Sequence, residues 1–122
     1  MRKGEGVKNG DCETFVSDCH VRAALELISH TWDPLVLSAL RPGPKRRSDL
    51  IRQLSGVSDK VLTHSLRRLA SLGVVTKTTG SAPAAAVYQL TPLGASFSEG
   101  PLVFMAEWAA ENQDELSNRR EA

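Results

Sequence analysis

"VSDKVLTHSLRRLASLGVV", residues 57–75, decides how the rest of the chain is read. Projected at about 100° per residue, it separates into two arcs. Val61, Leu62, Leu66, Leu69 and Leu72 share one. Lys60, Thr63, His64, Arg67, Arg68 and Ser71 share the other. Ser58 is placed to cap the N-terminus through its hydroxyl, and Gly73 to stop the helix. The apolar arc mounts the helix on a core. The polar arc either meets solvent or lies in the groove of a nucleic acid, and the surrounding sequence has to decide between them.

Upstream, Ser48 is a candidate cap for the helix "DLIRQL", which would bury Leu50, Ile51 and Leu54 before Gly56 ends it. Two helices joined by a short Gly-containing turn form a helix-turn-helix, with the second helix offered to DNA. Before them lies "KRR", read as a short extended link. Before that, "PLVLSALRPG" carries Val36, Leu37 and Leu40 on one side, with Asp33 as cap, Pro34 in the first turn and Pro42-Gly43-Pro44 as terminator. From Cys19, "CHVRAALELI" sets Val21, Ala24, Leu25 and Ile28 at helical spacing. Residues 1–17 read as a flexible N-terminal arm.

Downstream, "VVTKT" and "AVYQLT" are apolar, β-branched or aromatic runs separated by "TGSAPAA". They predict a hairpin, or wing. Thr91 can cap and Pro92 can open the helix "PLGASFSEG". Gly100-Pro101 predicts a kink or a fresh start, because proline removes a backbone donor. "PLVFMAEWAAENQDEL" continues with Phe104, Met105 and Trp108 on an apolar stripe, expected to pack against the N-terminal helix and a second copy. Residues 117–122 read as a polar tail. The expected fold is mainly α with a small β-hairpin: a winged helix-turn-helix over 18–116, with N- and C-terminal helical extensions for dimerisation.

Length and composition agree. At 122 residues one domain is expected, and 41% apolar residues suffice for a core. No apolar run approaches the ~18 residues of a membrane span. The opening "MRKGEGVKNGDCE" lacks the apolar region of a secretory signal, so a cytoplasmic protein is expected. The net charge of +1 hides an uneven distribution. Between Arg41 and Lys77 lie nine basic residues and two acids; the remainder holds six basic and twelve acidic residues. A basic middle between acidic ends fits a surface for a polyanion, and equally a solvated basic face.

The assembled pieces resemble the HxlR-type branch of the MarR-like winged helix-turn-helix transcriptional regulators. The resemblance runs from about Cys19 to Trp108. It rests on Cys19 at the first helix, Leu25, Leu27 and Ile28, Trp32 opening the second helix, "RRSDLIRQLSGVSDKVLTHSLRRLASLGVV", "VYQLTPLG" and the late Trp108. The central block is its most specific part. It implies a homodimer built by terminal helices, acting as repressor or activator on an inverted-repeat operator in double-stranded DNA. The chain departs from the pattern in Ser29-His30-Thr31, where the family usually has Gly-Gly-Lys. It departs again in Val87, where an acid usually precedes the tyrosine. Its wing tip, Gly80 to Ala86, carries no Lys or Arg, so DNA affinity is expected from the helix and its flanks.

The candidate DNA-binding residues follow. Lys60, Thr63, His64 and Arg67 lie within two turns of the exposed arc, and Arg67 suits a two-point contact to guanine. Arg68, toward one side, is expected at phosphate. Arg46, Arg47 and Ser48 open the preceding helix, where backbone N–H groups and charge suit phosphate. Ser58 and Lys77 complete the set. Phe97, Phe104, Met105 and Trp108 are candidates for the dimer interface.

Cys19 matches the cysteine that senses oxidants in some relatives, and Cys12 precedes it by seven residues. With His20 and Arg22 nearby, the pair is a candidate thiol switch, the effector being an oxidant or small molecule. The other reading makes Cys19 a small buried hydrophobe and Cys12 an idle thiol. Their spacing fits no zinc motif, and neither a metal nor a cofactor is expected. The chain has no nucleophile elbow, Gly-rich phosphate loop or paired carboxylates, so an enzyme is not expected. The alternative to an operator-binding regulator is a winged-helix module that binds protein. The basic residues of the helix argue for DNA.

Overall fold

The computed structural model describes residues 20–78 and 86–121. The N-terminal arm with Cys12 and Cys19, and residues 79–85 of the wing tip, lie outside them. Among the described residues, seven helices and three strands follow in the order α1 (His20–Leu25), α2 (Trp32–Leu40), β1 (Lys45–Arg46), α3 (Arg47–Gln53), α4 (Asp59–Ser71), β2 (Val75–Thr78), β3 (Val87–Leu90), α5 (Pro92–Glu99), α6 (Pro101–Glu111) and α7 (Gln113–Glu121).

The core forms where α2, α3 and α4 converge. Val36, Leu37 and Leu40 of α2, Leu50 of α3, and Leu62, Leu66 and Leu69 of α4 are all buried there. Each such side chain contributes about 1.5–3 kcal/mol on leaving water. Trp32, Ile51, Leu72 and Phe97 pack partly buried around it.

The ends of α4 follow the sequence closely. Ser58 accepts a hydrogen bond from the Val61 N–H at 3.1 Å. At the far end Gly73 takes φ +80°, the left-handed conformation glycine tolerates. There the Gly73 N–H donates to the Ala70 carbonyl and the Val74 N–H to that of Leu69. This pair of bonds is a Schellman motif, and it turns the chain straight into β2. Thr91 then fastens the wing's return. Its hydroxyl donates to the Gly73 carbonyl at 2.7 Å and accepts from the Gly94 N–H, while its own N–H donates to the Val74 carbonyl. Pro92 opens α5 and Pro101 opens α6, as their positions predict.

Several expectations need correction. The "KRR" link supplies a strand: β1 pairs antiparallel with β3, giving a three-stranded sheet in the order β1-β3-β2 in place of a simple hairpin. The paired run is two residues long, too short to leave a period-2 pattern in sequence. Helix α3 is capped at Arg46, not Ser48; the Arg46 N–H donates to the Asp49 carboxylate, and Ser48 lies within the first turn. Asp33 does not cap α2. Thr31 occupies that place, and Asp33 is a fully buried residue of the first turn. Helix α1 stops at Leu25 and tightens into i→i+3 bonds through Ile28; it buries none of its residues. The terminal helix breaks at Asn112, whose side chain donates to the Trp108 carbonyl, and the tail expected from 117 is helical to Glu121.

Candidate nucleic-acid interface

Helix α4 presents three basic side chains at the centre of its outer face. Lys60, His64 and Arg67 are exposed and make no hydrogen bond or ion pair among the described residues. They can meet an external partner without first breaking an internal contact.

The two edges of that face are occupied. On one, Arg47 reaches across from the start of α3. Its Nη2 donates to the Asp59 carbonyl at 2.9 Å, the Asp59 Oδ1 at 2.8 Å and the Thr63 hydroxyl at 2.7 Å. The Thr63 hydroxyl in turn donates to the Asp59 carbonyl four residues earlier. Thr63 is therefore half-buried and engaged, unlike its exposed neighbours.

On the other edge, Arg68 turns toward α2 and is half-buried. Its Nε and Nη2 donate to the two oxygens of Asp33, at 3.0 and 2.9 Å. Ser65, fully buried on the same side of α4, donates to the Asp33 Oδ1 at 2.5 Å. Hydrogen bonding to Asp33 holds the Arg68 guanidinium above its ordinary pKa, with the aspartate charge adding to this and partial loss of hydration opposing it. Arg68, expected at phosphate, is thus engaged internally through Nε and Nη2. Asp33 was read in the sequence only as a helix cap and Ser65 was not singled out, though each left a trace: a lone acid inside the apolar "WDPLVL", and a serine flanking Leu66 on the inner side of α4.

Between α3, α4 and the sheet runs an open cleft of about 870 Å³. Its floor is apolar, from Ile51, Leu66, Val75, Ala86 and Tyr88. Its rim brings together Arg47, Ser48, Arg52, Arg67 and Lys77, with Asp59 as the single acid. Lys77 stands opposite Tyr88 across the β2–β3 pair, its Nζ 5.9 Å from the ring centre. Arg52 is drawn to Asp49 three residues back. Arg46 on β1 and the cap Ser58 lie outside this cleft. A channel with Arg47, Arg52, Arg67 and Lys77 on its rim, beside a helix whose face adds Lys60 and His64, suits a strand of phosphates next to a row of base edges.

Of the residues expected at a dimer interface, Phe104, Met105 and Trp108 of α6 are exposed, Phe104 by 70% and Trp108 by 57%. Phe97 packs against the core. Val21 and Leu25 of α1 are exposed as well. Among the described residues no group of His, Cys, Asp and Glu could hold a metal ion, and no helix is long and apolar enough to cross a membrane.

Comparison with known proteins gives a consistent result. A family profile described as HxlR-like helix-turn-helix matches residues 27–117. The chain is 37% identical over 103 residues to the Escherichia coli protein YtfH, an uncharacterized HTH-type transcriptional regulator, covering 84% of this chain and 81% of the other. The solved structure of the ytfH regulator of Salmonella typhimurium superposes with a TM-score of 0.72 at 34% identity, over 89% of this chain and 97% of that one. The redox regulator HypR in its reduced form superposes with a TM-score of 0.75 at 27% identity, over 80% and 97%.

Proposed function

The chain belongs to the HxlR-like helix-turn-helix family and is a DNA-binding transcriptional regulator, and from that premise we propose that it acts as a homodimer on an inverted-repeat operator with α4 in the major groove. The observation that carries this reading is the outer face of α4, where Lys60, His64 and Arg67 stand unpaired between two anchored edges. Arg67 reads a base edge, its planar fork matching the two acceptors of guanine. Lys60 and His64 contact neighbouring edges or phosphates. Arg47, Ser48 and Lys77 on the rim of the cleft, with Arg46 outside it on β1, meet the backbone of the same half-site.

The exposed apolar stripe of α6, with Val21 and Leu25 of α1, supports a second copy as its cover. A two-fold dimer would present its two α4 helices to successive major-groove faces about 34–36 Å apart. We assign control of the regulator to the thiols of Cys12 and Cys19, a reading supported by likeness to a protein described as a redox regulator.

The test is a selection of sheared genomic DNA on the purified, reduced protein, with the bound fragments sequenced. One or a few inverted-repeat sites are expected, with binding that weakens steeply as salt rises. Absence of any enriched sequence in low salt would sink operator recognition. The same sites retested after oxidation decide thiol control.

A further inference from the structure

Asp33 is an unusual residue for its place. It lies in the first turn of α2 with none of its surface exposed, yet it caps nothing. All the described partners of its side chain are on α4: Arg68 through two nitrogens, and Ser65 through a hydroxyl. An ion pair whose acid is buried and whose base is half-exposed is weak evidence for stability, since taking the carboxylate out of water costs about as much as the attraction returns. What it does impose is geometry. A carboxylate gripped by a planar guanidinium at two points tolerates little rotation, and the Ser65 bond adds a third point one turn earlier.

The other edge of α4 is held in the same manner by Arg47, through Asp59 and Thr63. On a helical projection, Arg68 lies about 100° to one side of Arg67 and Thr63 about 40° to the other. The free cations thus sit between two polar clamps that come from different helices. Greasy contacts alone allow a helix to roll. A roll of ~20° at the ~5–6 Å radius of an α-helix displaces a side chain by about 2 Å, enough to lose a base contact.

We propose that Asp33, with Ser65 and Arg68, is a positioning cluster that sets the roll of α4 and so determines which base pairs the helix prefers, contributing more to operator selectivity than to stability of the fold. The proposal rests on the DNA-reading role of α4. It assigns to Asp33, a residue remote from the outer face, an effect on sequence preference.

The experiment replaces the cluster by apolar residues of similar size, Asp33→Leu, Ser65→Ala and Arg68→Met together. One acid and one base are removed, so net charge and long-range attraction to DNA are unchanged. The triple variant is expected to melt within a few degrees of the parent and to bind mixed-sequence DNA within about twofold. Its preference for the selected operator over mixed DNA should fall about tenfold or more, the scale of one mismatched base pair. Arg68→Lys, which keeps the charge but loses the fork, should lose preference in the same direction while remaining folded. If either folded variant keeps the parent's full preference, the cluster is only structural and the proposal falls. Should the triple variant fail to fold, Arg68→Lys decides alone. Should the parent itself enrich no sequence, the operator reading fails separately. The roll of α4 is then measured by residual dipolar couplings of the 59–71 amides against those of 32–40. An unchanged orientation in the folded variants overturns the positioning role; a changed one supports it.

Discussion

Arg47 and Thr63 are joined by a 2.7 Å hydrogen bond from guanidinium to hydroxyl, and this bond ties the first turn of α3 to the middle of α4. Its neighbour Asp59 is 82% exposed, so the accompanying ion pair is bathed in water and worth no more than about 1 kcal/mol. Arg47→Ala should therefore leave the fold nearly as stable. In DNA binding it should weaken all sequences about equally and reduce the slope of log K against log salt by about 1. Fluorescence anisotropy over a salt series checks this. A loss confined to the operator would mean that Arg47 acts on base reading, directly or through its hold on α4.

Arg67 has the opposite signature. Fully presented and unpaired, it should cost about 1–3 kcal/mol of operator binding when cut to alanine, with relaxed preference at one base pair per half-site. Repeating the DNA selection with Arg67→Ala shows which position relaxes. Equal losses on operator and mixed DNA would remove Arg67 from base reading.

Trp108 and Phe104 stand out from α6 into solvent in the single chain. Changing Trp108 to Glu should leave helix content unchanged and shift the protein from dimer to monomer in sedimentation analysis. Operator affinity should fall with it, since two linked half-sites gain from each other and separate ones do not. A Trp108→Glu protein that remains dimeric would place the interface elsewhere.

Gly94 illustrates how tightly α5 is set on the wing. A methyl group built there runs into the Val74 carbonyl, and backbone on both sides must move to admit it. Gly94→Ala should lower stability by about 1–3 kcal/mol in urea denaturation, the usual scale of overpacking.

Ser98 predicts a change of the opposite sign. Its hydroxyl is buried with no partner among the described residues. Ser98→Ala, which removes an unsatisfied group from the interior, should raise stability by about 1 kcal/mol under the same conditions. A loss of stability would show that the hydroxyl is paired in solution, through a bound water for instance.

Much of this architecture was legible in the residues, and the reasons are local. Helix α4 announces itself because its periodicity, its Ser58 cap and its Gly73 stop all agree. Thr91-Pro92 and Gly100-Pro101 are equally direct, since cap and proline chemistry act within one turn. The two-residue strand β1 was not legible, because its identity depends on Val87 and Tyr88 forty residues away. Nor was the Asp33 cluster. A helical projection places Arg68 at the margin of the polar arc, and only the arrival of α2 turns that margin inward. The exposed face of Lys60, His64 and Arg67 was legible, whereas the engagement of Thr63 by Arg47 required the packing of α3 on α4. The likeness to HxlR-type regulators fixed the class of protein; it did not show which cations are free.

The knot at Gly73, Val74 and Thr91 has a mechanical consequence. The last turn of α4, the root of β2 and the cap of α5 are bonded to one another within a few residues. The root of β2 is thus fixed to the end of α4, while β3 is held on its other side by β1. Damage to the knot, as in Thr91→Val, would loosen the joint itself: the Gly94 amide, which donates to the lost hydroxyl, and the root of β2 should exchange their hydrogens faster with solvent, even where the seating of α4 on the core is intact.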